Sequence, residues 1–454
     1  MKASRGILLV ALSLLAIAAV RDFARLGDAL PWRQLYDFAD FYCAGEALNA
    51  RADPYRYEPL RTCEHRVNLG TAFQRDPRRV VPAPLPPYDF PPFMLVARAG
   101  FPVARAIDAA AILAAVVAAI WALSLCGVPL ELAAFALVMP AGYVLLNAGQ
   151  VVPFAFLALA LCGAALARRR ERAAGILAAL TLIEPHLGLP VCAAMLLWLP
   201  RTRPALLATS LLLAAVAVLT TGIPEIAEYV LRVLPAQAAA ETGYVYQYSL
   251  TYLLRVLGAP PSAALGVGDL GYVAALVLGV WLGRRSARNL RRPELLAFVP
   301  AACSVIGGPY VHMVDLAFAI PAALVLATSL EGRAKNVAAV ALCLLAVPWI
   351  PVWITKKLFL ASLFVVAVIL ARLRVGAPVA IATFASIAAT IYLFELSPPA
   401  ALVAATGTFG GGELAQRAWA DSVARLGGAS PAWIAVKVPT WLALAGVLAA
   451  SFRA

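Results

Sequence analysis

The sequence predicts an all-α integral membrane protein, a polytopic bundle of about 12–14 transmembrane helices with a long first external loop. Hydrophobic residues make up 63% of the 454 positions, charged residues 13%, and mean hydropathy is +0.85, which is far too apolar for a soluble chain. The apolar residues form uninterrupted runs such as Ala109 to Leu125, whereas barrel strands would alternate apolar and polar residues. Basic residues cluster in the short links between these runs.

The predicted spans follow one another from an amino terminus on the cytoplasmic side, within a single domain covering residues 1–454. They cover residues 7–20, 105–126, 131–146, 151–167, 173–184, 187–199, 204–221, 265–283, 294–306, 314–330, 336–352, 358–372, 377–395 and 436–452. Glu184-Pro185-His186 separates two short apolar segments. Broken helices at membrane depth are tolerated where they line a cavity. These two segments either cross the membrane or form a re-entrant pair, and both termini are cytoplasmic in either case.

Charge distribution sets the predicted orientation. The formal charge of +13 would suggest nucleic-acid binding in a soluble protein, but here it follows the positive-inside pattern, so no nucleic-acid partner is expected. The clusters are Arg168, Arg169, Arg170 and Arg172; Arg201 and Arg203; Arg284, Arg285, Arg288, Arg291 and Arg292; Arg333 and Lys335; and Arg372 and Arg374. The run after Lys2 and Arg5 lacks a convincing cleavage site and is expected to be an anchor. The pattern predicts a multi-pass protein of a bacterial cytoplasmic (inner) membrane.

The loops predicted to lie outside carry most of the polar chemistry. They cover about residues 21–104, 222–262, 307–313 and 396–433. In the first of them, Asp37 and Asp40 lie among aromatic residues, a setting in which a carboxylate can take a proton from a hydroxyl group. Helix capping and loop solvation explain these acids equally well.

A set of short motifs, in a fixed order, resembles glycosyltransferase family 87, membrane enzymes of the glycosyltransferase C superfamily that include polyprenyl-phosphate-mannose-dependent mannosyltransferases. The motifs are Asp37-Phe38-x-x-Phe41-Tyr42-x-Ala44-Gly45, Asp53-Pro54-Tyr55, Tyr88-x-x-Pro91-Pro92, Asn147-x-Gly149-Gln150 and Gln247-x-Ser249-Leu250 followed by Leu253-Leu254. The resemblance runs from about residue 7 to at least residue 316. Two positions depart from the family: Glu184 stands where a lysine often precedes the proline, and Arg51-Ala52 replaces a loop glycine.

The resemblance implies an activity and a catalytic base. A hexose, by default mannose, would pass with inversion from a polyprenyl-phosphate-sugar donor to a lipid or glycan acceptor at the outer face of the membrane. Asp37 would be the base, with Asp40 as the alternative one helical turn away. A phosphate leaving group is already a stable anion and needs no general acid. The expected partners are therefore the lipid-linked donor, the acceptor and membrane lipid.

Several polar residues at predicted outer ends of spans are candidates for substrate binding. For the donor phosphate they are His186, Tyr310-Val311-His312 and the pair Lys356-Lys357. The lysine pair breaks the positive-inside pattern, although snorkelling to lipid headgroups would also explain it. Asn147 and Gln150 are candidates for orienting sugar hydroxyls, or are simple helix caps. Asp315 either fixes the tautomer of His312 or starts a helix.

Cys43 and Cys63 share the first external loop, where disulfides persist, and are expected to pair. The other five cysteines lie in or beside apolar spans as small core residues. No metal-ligand spacing and no phosphate loop occurs in the sequence, so no metal and no cofactor are expected.

Two other classes of function remain open from the sequence. A transporter or flippase of a lipid-linked or anionic substrate also uses many helices and broken segments, but would be expected to place its polar residues near the middle of the membrane. A catalytically inactive structural component of the membrane is the third alternative.

Overall fold

A computed structural model of the chain describes residues 2–24, 35, 37–67, 80–397, 414–425 and 431–454. Within these ranges the protein is all-helical, with only two isolated β-bridges, Arg56 with Leu414 and Gln247 with His312. The predicted spans correspond to the helices Lys2–Ala24, Phe101–Leu125, Leu130–Leu137 with its continuation to Ala148, Val152–Ala167, Glu171–Leu180, Pro185–Trp198, Arg203–Thr220, Pro261–Asn289, Leu295–Ser304, Ile320–Ser329, Gly332–Leu345, Phe359–Leu373, Ala377–Leu396 and Pro431–Arg453. The predicted all-α class is confirmed.

Shorter helices lie between these spans. They are Phe38–Asn49, Tyr57–Arg66, Phe90–Ala97, Ile223–Glu228, Leu234–Ala240, Leu250–Val256, Trp349–Thr355 and Ala415–Arg425. Most of them fall in the loops predicted to be external.

Six helices of the described part are long and apolar enough to cross a membrane, and a seventh candidate is a pair bent by 43°, Leu130–Pro140 with Gly142–Ala148. Five further apolar helices have 10–17 residues, shorter than the roughly 20 residues that a straight crossing needs. Large apolar side chains remain exposed on the long helices, for example Leu211 at 70% and Leu270 at 72%. These features make the chain a multi-pass membrane protein, whereas the total of 12–14 spans stays a prediction.

The predicted interruption at Glu184-Pro185-His186 is confirmed. A 3₁₀ turn, Thr181–Ile183, follows the Glu171–Leu180 helix, Glu184 is extended, and Pro185 starts the next helix at a position that suits proline. Carbonyl groups at such a break need other donors. The hydroxyl of Tyr88 donates to Leu182 O at 2.6 Å, and that of Tyr272 donates to His186 O at 2.6 Å.

Loops that are far apart in sequence meet in two groups. In the first, which we call the loop end, Asp37 N donates to Ala148 O at 2.9 Å, Tyr248 N to Val311 O at 2.7 Å, and Ala415 N to Tyr55 O at 3.0 Å. All of these residues belong to segments predicted to lie outside or at outer span ends.

The second group, which we call the arginine end, joins the links that carry the basic clusters. Arg292 donates to Cys126 O at 2.5 Å and to Ser329 Oγ at 2.9 Å, and Arg372 lies 3.4 Å from Glu131. The segment Leu130 to Ala148 joins the two groups, since Glu131 contacts Arg372 at the arginine end and Ala148 O accepts from Asp37 N at the loop end. Which end faces outward stays a prediction.

The described residues of the first loop include the Phe38–Asn49 helix, which packs against Phe93. The rings of Phe38 and Phe41 lie 6.4 and 5.3 Å from the ring of Phe93. Gly45 is required here, since a Cβ atom at this position would lie 2.5 Å from the Phe93 backbone. Cys43 forms a disulfide with Cys63, which ties this helix to Tyr57–Arg66. Asp37, at the start of the helix, is thereby held on a rigid support.

Candidate functional site

Asp37 contacts the turn between two predicted spans. Gly149 has a positive φ of 72°, and a Cβ atom there would lie 3.0 Å from Leu35, so the close approach favours glycine. This turn places Gln150 so that its Nε2 donates a hydrogen bond to Oδ2 of Asp37. The Asn147-x-Gly149-Gln150 motif and the first-loop motif therefore meet at one carboxylate.

The environment of Asp37 suits a base that works near neutral pH. Burial raises its pKa from 3.8 to about 6, while the hydrogen bond from Gln150 and the charge of His312 oppose that rise. At pH 7 the carboxylate is mostly ionised, yet it is more basic than an ordinary aspartate. The pKa shift also shows that Asp37 and His312 are near enough to interact electrostatically.

His312 is paired with Glu241, a residue that the sequence analysis did not select. The His312 Nε2 atom lies 2.5 Å from Glu241 Oε2, and both side chains are largely buried. Burial by itself would lower the pKa of His312, but Glu241, with smaller contributions from Asp315 and Asp37, raises it from 6.5 to about 9. His312 is therefore an imidazolium cation at neutral pH.

Glu241 has donors on both carboxylate oxygens. Its Oε1 accepts from Gln237 Nε2 at 2.8 Å and from Trp419 Nε1 at 2.8 Å, and its Oε2 accepts from Gln247 Nε2 at 2.8 Å besides His312. Four N–H donors thus converge on one buried carboxylate. The anion in turn stabilises the positive charge of His312.

Tyr310 links the two histidines. Its ring stacks on His312 with centroids 4.9 Å apart and meets the ring of His186 edge-on at 5.6 Å. His186 Nε2 lies 3.3 Å from Asp315 Oδ2, and His186 Nδ1 lies 3.6 Å from Glu184 Oε2. The predicted candidates His186, Tyr310 and His312 therefore form one cluster.

Asp315 does not bind the His312 ring, so the tautomer role considered for it is wrong. Its Oδ2 accepts the backbone N–H of His312 at 2.6 Å at the start of the Met313–Ala319 turn. The helix-start alternative is the observed one, and Glu241 takes the role of ring partner.

Asp89 is a further buried acid, within electrostatic range of Glu184. It is 9% exposed, and its Oδ2 has no hydrogen-bond partner in the described part of the chain. Burial, and then the nearby charge of Glu184, raise its pKa well above 3.8. A carboxylic acid that keeps its proton can donate a hydrogen bond to a ligand.

Four further predicted candidates are Asp40, Asn147, Lys356 and Lys357. Asp40 is buried, at 2% exposure, within the first-loop packing, and the buried Oδ1 of Asn147 has no hydrogen-bond partner among the described residues. Lys356 Nζ donates to the carbonyls of Phe394 and Ser397 at the end of the Ala377–Leu396 helix. Its neighbour Lys357 is exposed.

Lys437 is a second residue that sequence reasoning missed. It is fully buried in the Pro431–Arg453 helix, its Nζ donates to Gln247 O at 2.5 Å, and it lies 3.1 Å from the Tyr252 ring centroid. One turn later, Trp441 Nε1 donates to Tyr248 O at 3.0 Å. A lone charge in an apolar span was the available signal, because such residues are costly unless they have a role.

The segment that Lys437 holds is also the one that supports His312. Gln247 Oε1 accepts Val311 N at 2.9 Å, and its Nε2 binds Glu241. Met313 N donates to Tyr246 O at 3.0 Å. Residues 244–249 therefore connect the buried lysine to both members of the Glu241–His312 pair.

The site therefore combines the Asp37 carboxylate, the paired His312 ring and the stacked ring of Tyr310. The described residues hold no group of three His, Cys, Asp or Glu side chains arranged to bind a metal ion. Comparisons with protein-family models, with curated proteins and with solved structures find no match for this chain.

Proposed function

We propose that the chain is a membrane glycosyltransferase that moves a hexose, by resemblance mannose, from a polyprenyl-phosphate-sugar donor to a lipid or glycan acceptor. The reaction would take place at the outer face of a bacterial cytoplasmic membrane. One observation carries the proposal: Asp37, bonded to Gln150, lies within electrostatic range of His312, whose ring is paired with Glu241 at 2.5 Å. Transfer from a sugar phosphate needs one base and one anion-stabilising group.

In this proposal Asp37 accepts the proton of the acceptor hydroxyl as that oxygen attacks the anomeric carbon. The bond between the anomeric carbon and the phosphate oxygen breaks, and its electron pair leaves with the polyprenyl phosphate. Attack from the face opposite the leaving group inverts the configuration. Gln150 would hold the Asp37 carboxylate toward the acceptor through its hydrogen bond.

The departing phosphate would be stabilised by the histidines. His312 supplies a positive charge whose counter-ion, Glu241, is already in place, so no reorganisation is needed when charge develops on the phosphate. His186 lies on the other side of Tyr310 and would contact the same group. The pair Lys356-Lys357 remains an alternative, although Lys356 is bonded to helix-end carbonyls.

The position of the polar groups favours an enzyme over a transporter. Asp37, His186, Glu241 and His312 lie on loops and at helix starts of the loop end, and Lys437 is in the second turn of its helix. A transporter would be expected to place such groups near the middle of the membrane.

The test uses membranes that contain this protein and a panel of radiolabelled polyprenyl-phosphate sugars. Extraction of a labelled lipid or glycan product, formed by the wild type and lost in Asp37→Asn, would support the proposal. Label that crosses the bilayer still attached to its polyprenyl phosphate would support the transporter instead. If no sugar of the panel gives a labelled product or crosses the bilayer, both the glycosyltransferase and the transporter are contradicted.

A further inference from the structure

A cavity of about 690 Å³ lies at the arginine end, between the turn after the Val152–Ala167 helix and the turn before the Arg203–Thr220 helix. Its lining consists of Arg169, Arg170, Glu171, Arg172, Ala173, Arg201 and Pro204. Four guanidinium groups and one carboxylate give this surface a formal charge of +3. The charge is concentrated on one concave surface at the end away from the candidate site.

Three of these four guanidinium groups have no partner among the described residues. In the described part of the chain Arg169, Arg170 and Arg172 make no side-chain hydrogen bond or ion pair, and Arg201 lies 3.9 Å from Glu171 with its side chain 84% exposed. An exposed ion pair at that distance contributes little to the free energy of folding. Several like charges on one cavity repel each other, and an anion bound there would relieve that repulsion.

Some other arginines at the arginine end do have protein partners. Arg292 binds Glu294 at 2.5 Å besides Cys126 O and Ser329. Arg284 lies 3.8 Å from the ring centroid of Trp198, and Arg285 lies 5.6 Å from that of Trp281. The positive-inside rule accounts for which end carries the charge, but it does not require unpaired arginines to line one cavity.

The surface next to the cavity indicates what kind of anion would bind. The helices that lead away from it expose large apolar side chains, with Ile176 at 44%, Leu207 at 51% and Leu211 at 70%. A ligand with an anionic head and apolar chains would use both surfaces. Guanidinium groups suit phosphate because they bind its oxygens in a bidentate manner.

We propose that this cavity binds the phosphate group of an anionic phospholipid whose chains lie along Ile176, Leu207 and Leu211. The same chemistry would accept free phosphate, but only the lipid makes use of the adjoining apolar surface. The inference does not depend on the proposed glycosyltransferase activity.

The test is native mass spectrometry of the full-length protein in detergent, titrated with phosphatidylglycerol, with phosphatidylcholine and, separately, with inorganic phosphate. The wild type should retain phosphatidylglycerol in preference to phosphatidylcholine. The triple variant Arg170→Gln, Arg172→Gln, Arg201→Gln should lose at least about tenfold in phosphatidylglycerol affinity, since three charge-assisted contacts are removed.

The matched control is the triple variant Arg288→Gln, Arg291→Gln, Arg374→Gln, which removes the same charge from exposed arginines that do not line the cavity. It should retain the lipid as the wild type does. Equal losses in both triple variants would show general electrostatic attraction and overturn the proposal. Equal retention of both lipids would overturn it too, and so would competition by inorganic phosphate at concentrations matching those of the lipid. Single variants at Arg170 and Arg201 replace the triple if it does not fold, and unchanged affinity in both singles would also refute the site.

Discussion

The Oε2 atom of Glu241 lies 2.5 Å from the Nε2 atom of His312, although the two residues are 71 positions apart in the chain. Three further N–H donors bind the same carboxylate. This buried pair lies within electrostatic range of Asp37.

The pH dependence of sugar transfer should reflect the ionisation of Asp37 and of His312. Asp37 must be ionised, so activity should fall as the pH drops below about 6, and His312 must be protonated, so activity should fall as the pH rises above about 9. Glu241→Gln removes the anion that raises the His312 pKa, and the alkaline limb should move down toward 6.5. Initial rates across pH 5 to pH 10, in roughly half-unit steps, would measure this.

A suitable control for that experiment is Glu228→Gln. Glu228 belongs to the same loop but pairs with Arg56 at 3.0 Å. An alkaline limb that stays in place in Glu241→Gln would contradict the assignment of His312 as the titrating cation.

Asp37→Asn should abolish base catalysis. The amide keeps the shape of the side chain but cannot accept the proton, and turnover should fall by at least about two orders of magnitude. Expression and membrane insertion should be unchanged. Asp40→Asn is the comparison. If Asp40→Asn is inactive and Asp37→Asn is active, the base is Asp40, one helical turn away.

Donor binding should distinguish the histidine from the lysine pair. His312→Gln should raise the KM for the lipid-phosphate donor and leave the KM for the acceptor little changed, since the phosphate contact is the one removed. Lys356→Gln should leave both nearly unchanged, because Lys356 is bonded to the carbonyls of Phe394 and Ser397. If the donor KM rises in Lys356→Gln and Lys357→Gln but not in His312→Gln, the lysine pair and not His312 binds the donor phosphate.

Lys437 should act as a positioning residue for His312. Lys437→Met removes the bond to Gln247 O and should raise the donor KM through displacement of residues 244–249 and 310–313. In a His312→Gln background the same change should have little further effect, because coupled residues are not additive. Ser451→Ala, another buried polar residue of the same helix, is the matched control.

A second measurement for Lys437 does not require activity. Hydrogen exchange of the Val311 and Met313 amides, which bond to Gln247 and Tyr246, should be faster in Lys437→Met than in the wild type. Unchanged exchange together with additive kinetics would show that Lys437 only fills space.

The disulfide between Cys43 and Cys63 should be detected in the protein extracted from membranes. Mass spectrometry of alkylated, non-reduced peptides should find the two cysteines linked, and two free thiols would contradict the pairing. Closing a loop of 20 residues stabilises the folded first loop by about 3 kcal/mol in the loop-entropy treatment. Cys63→Ser should accordingly lower the melting temperature, with buried Cys343→Ser as a comparison outside the loop.

Much of the fold could be read from local composition. Apolar runs and arginine links predicted helices at Phe101–Leu125, Arg203–Thr220 and Pro261–Asn289, because a helix in lipid satisfies its own backbone hydrogen bonds and needs no distant partner. The interruption at Glu184-Pro185 was equally local, since proline ends a helix by its own geometry.

Part of the site was also accessible from the sequence. Asp37, Gln150, His186, Tyr310 and His312 were selected from motifs and from their positions at predicted outer ends. The structure brings Asp37 into contact with Gln150, and Tyr310 into contact with both histidines. For Asp315 the sequence left two roles open. The choice depended on whether its carboxylate contacts the backbone or the ring of His312, and the structure shows the backbone.

The sequence by itself determined the class of protein, the order of its helices and the end at which its polar loops collect, because these depend on transfer to lipid and on charge within short segments. Only the tertiary structure decided that Glu241 pairs with His312 and that Lys437 supports Gln247. These contacts join segments separated by 71 and 190 positions. No local sequence pattern encodes such pairs, because the partner of a buried charge depends on which helices pack together. Leaving that charge unpaired raises the free energy of the folded state only, since in the unfolded chain water solvates it.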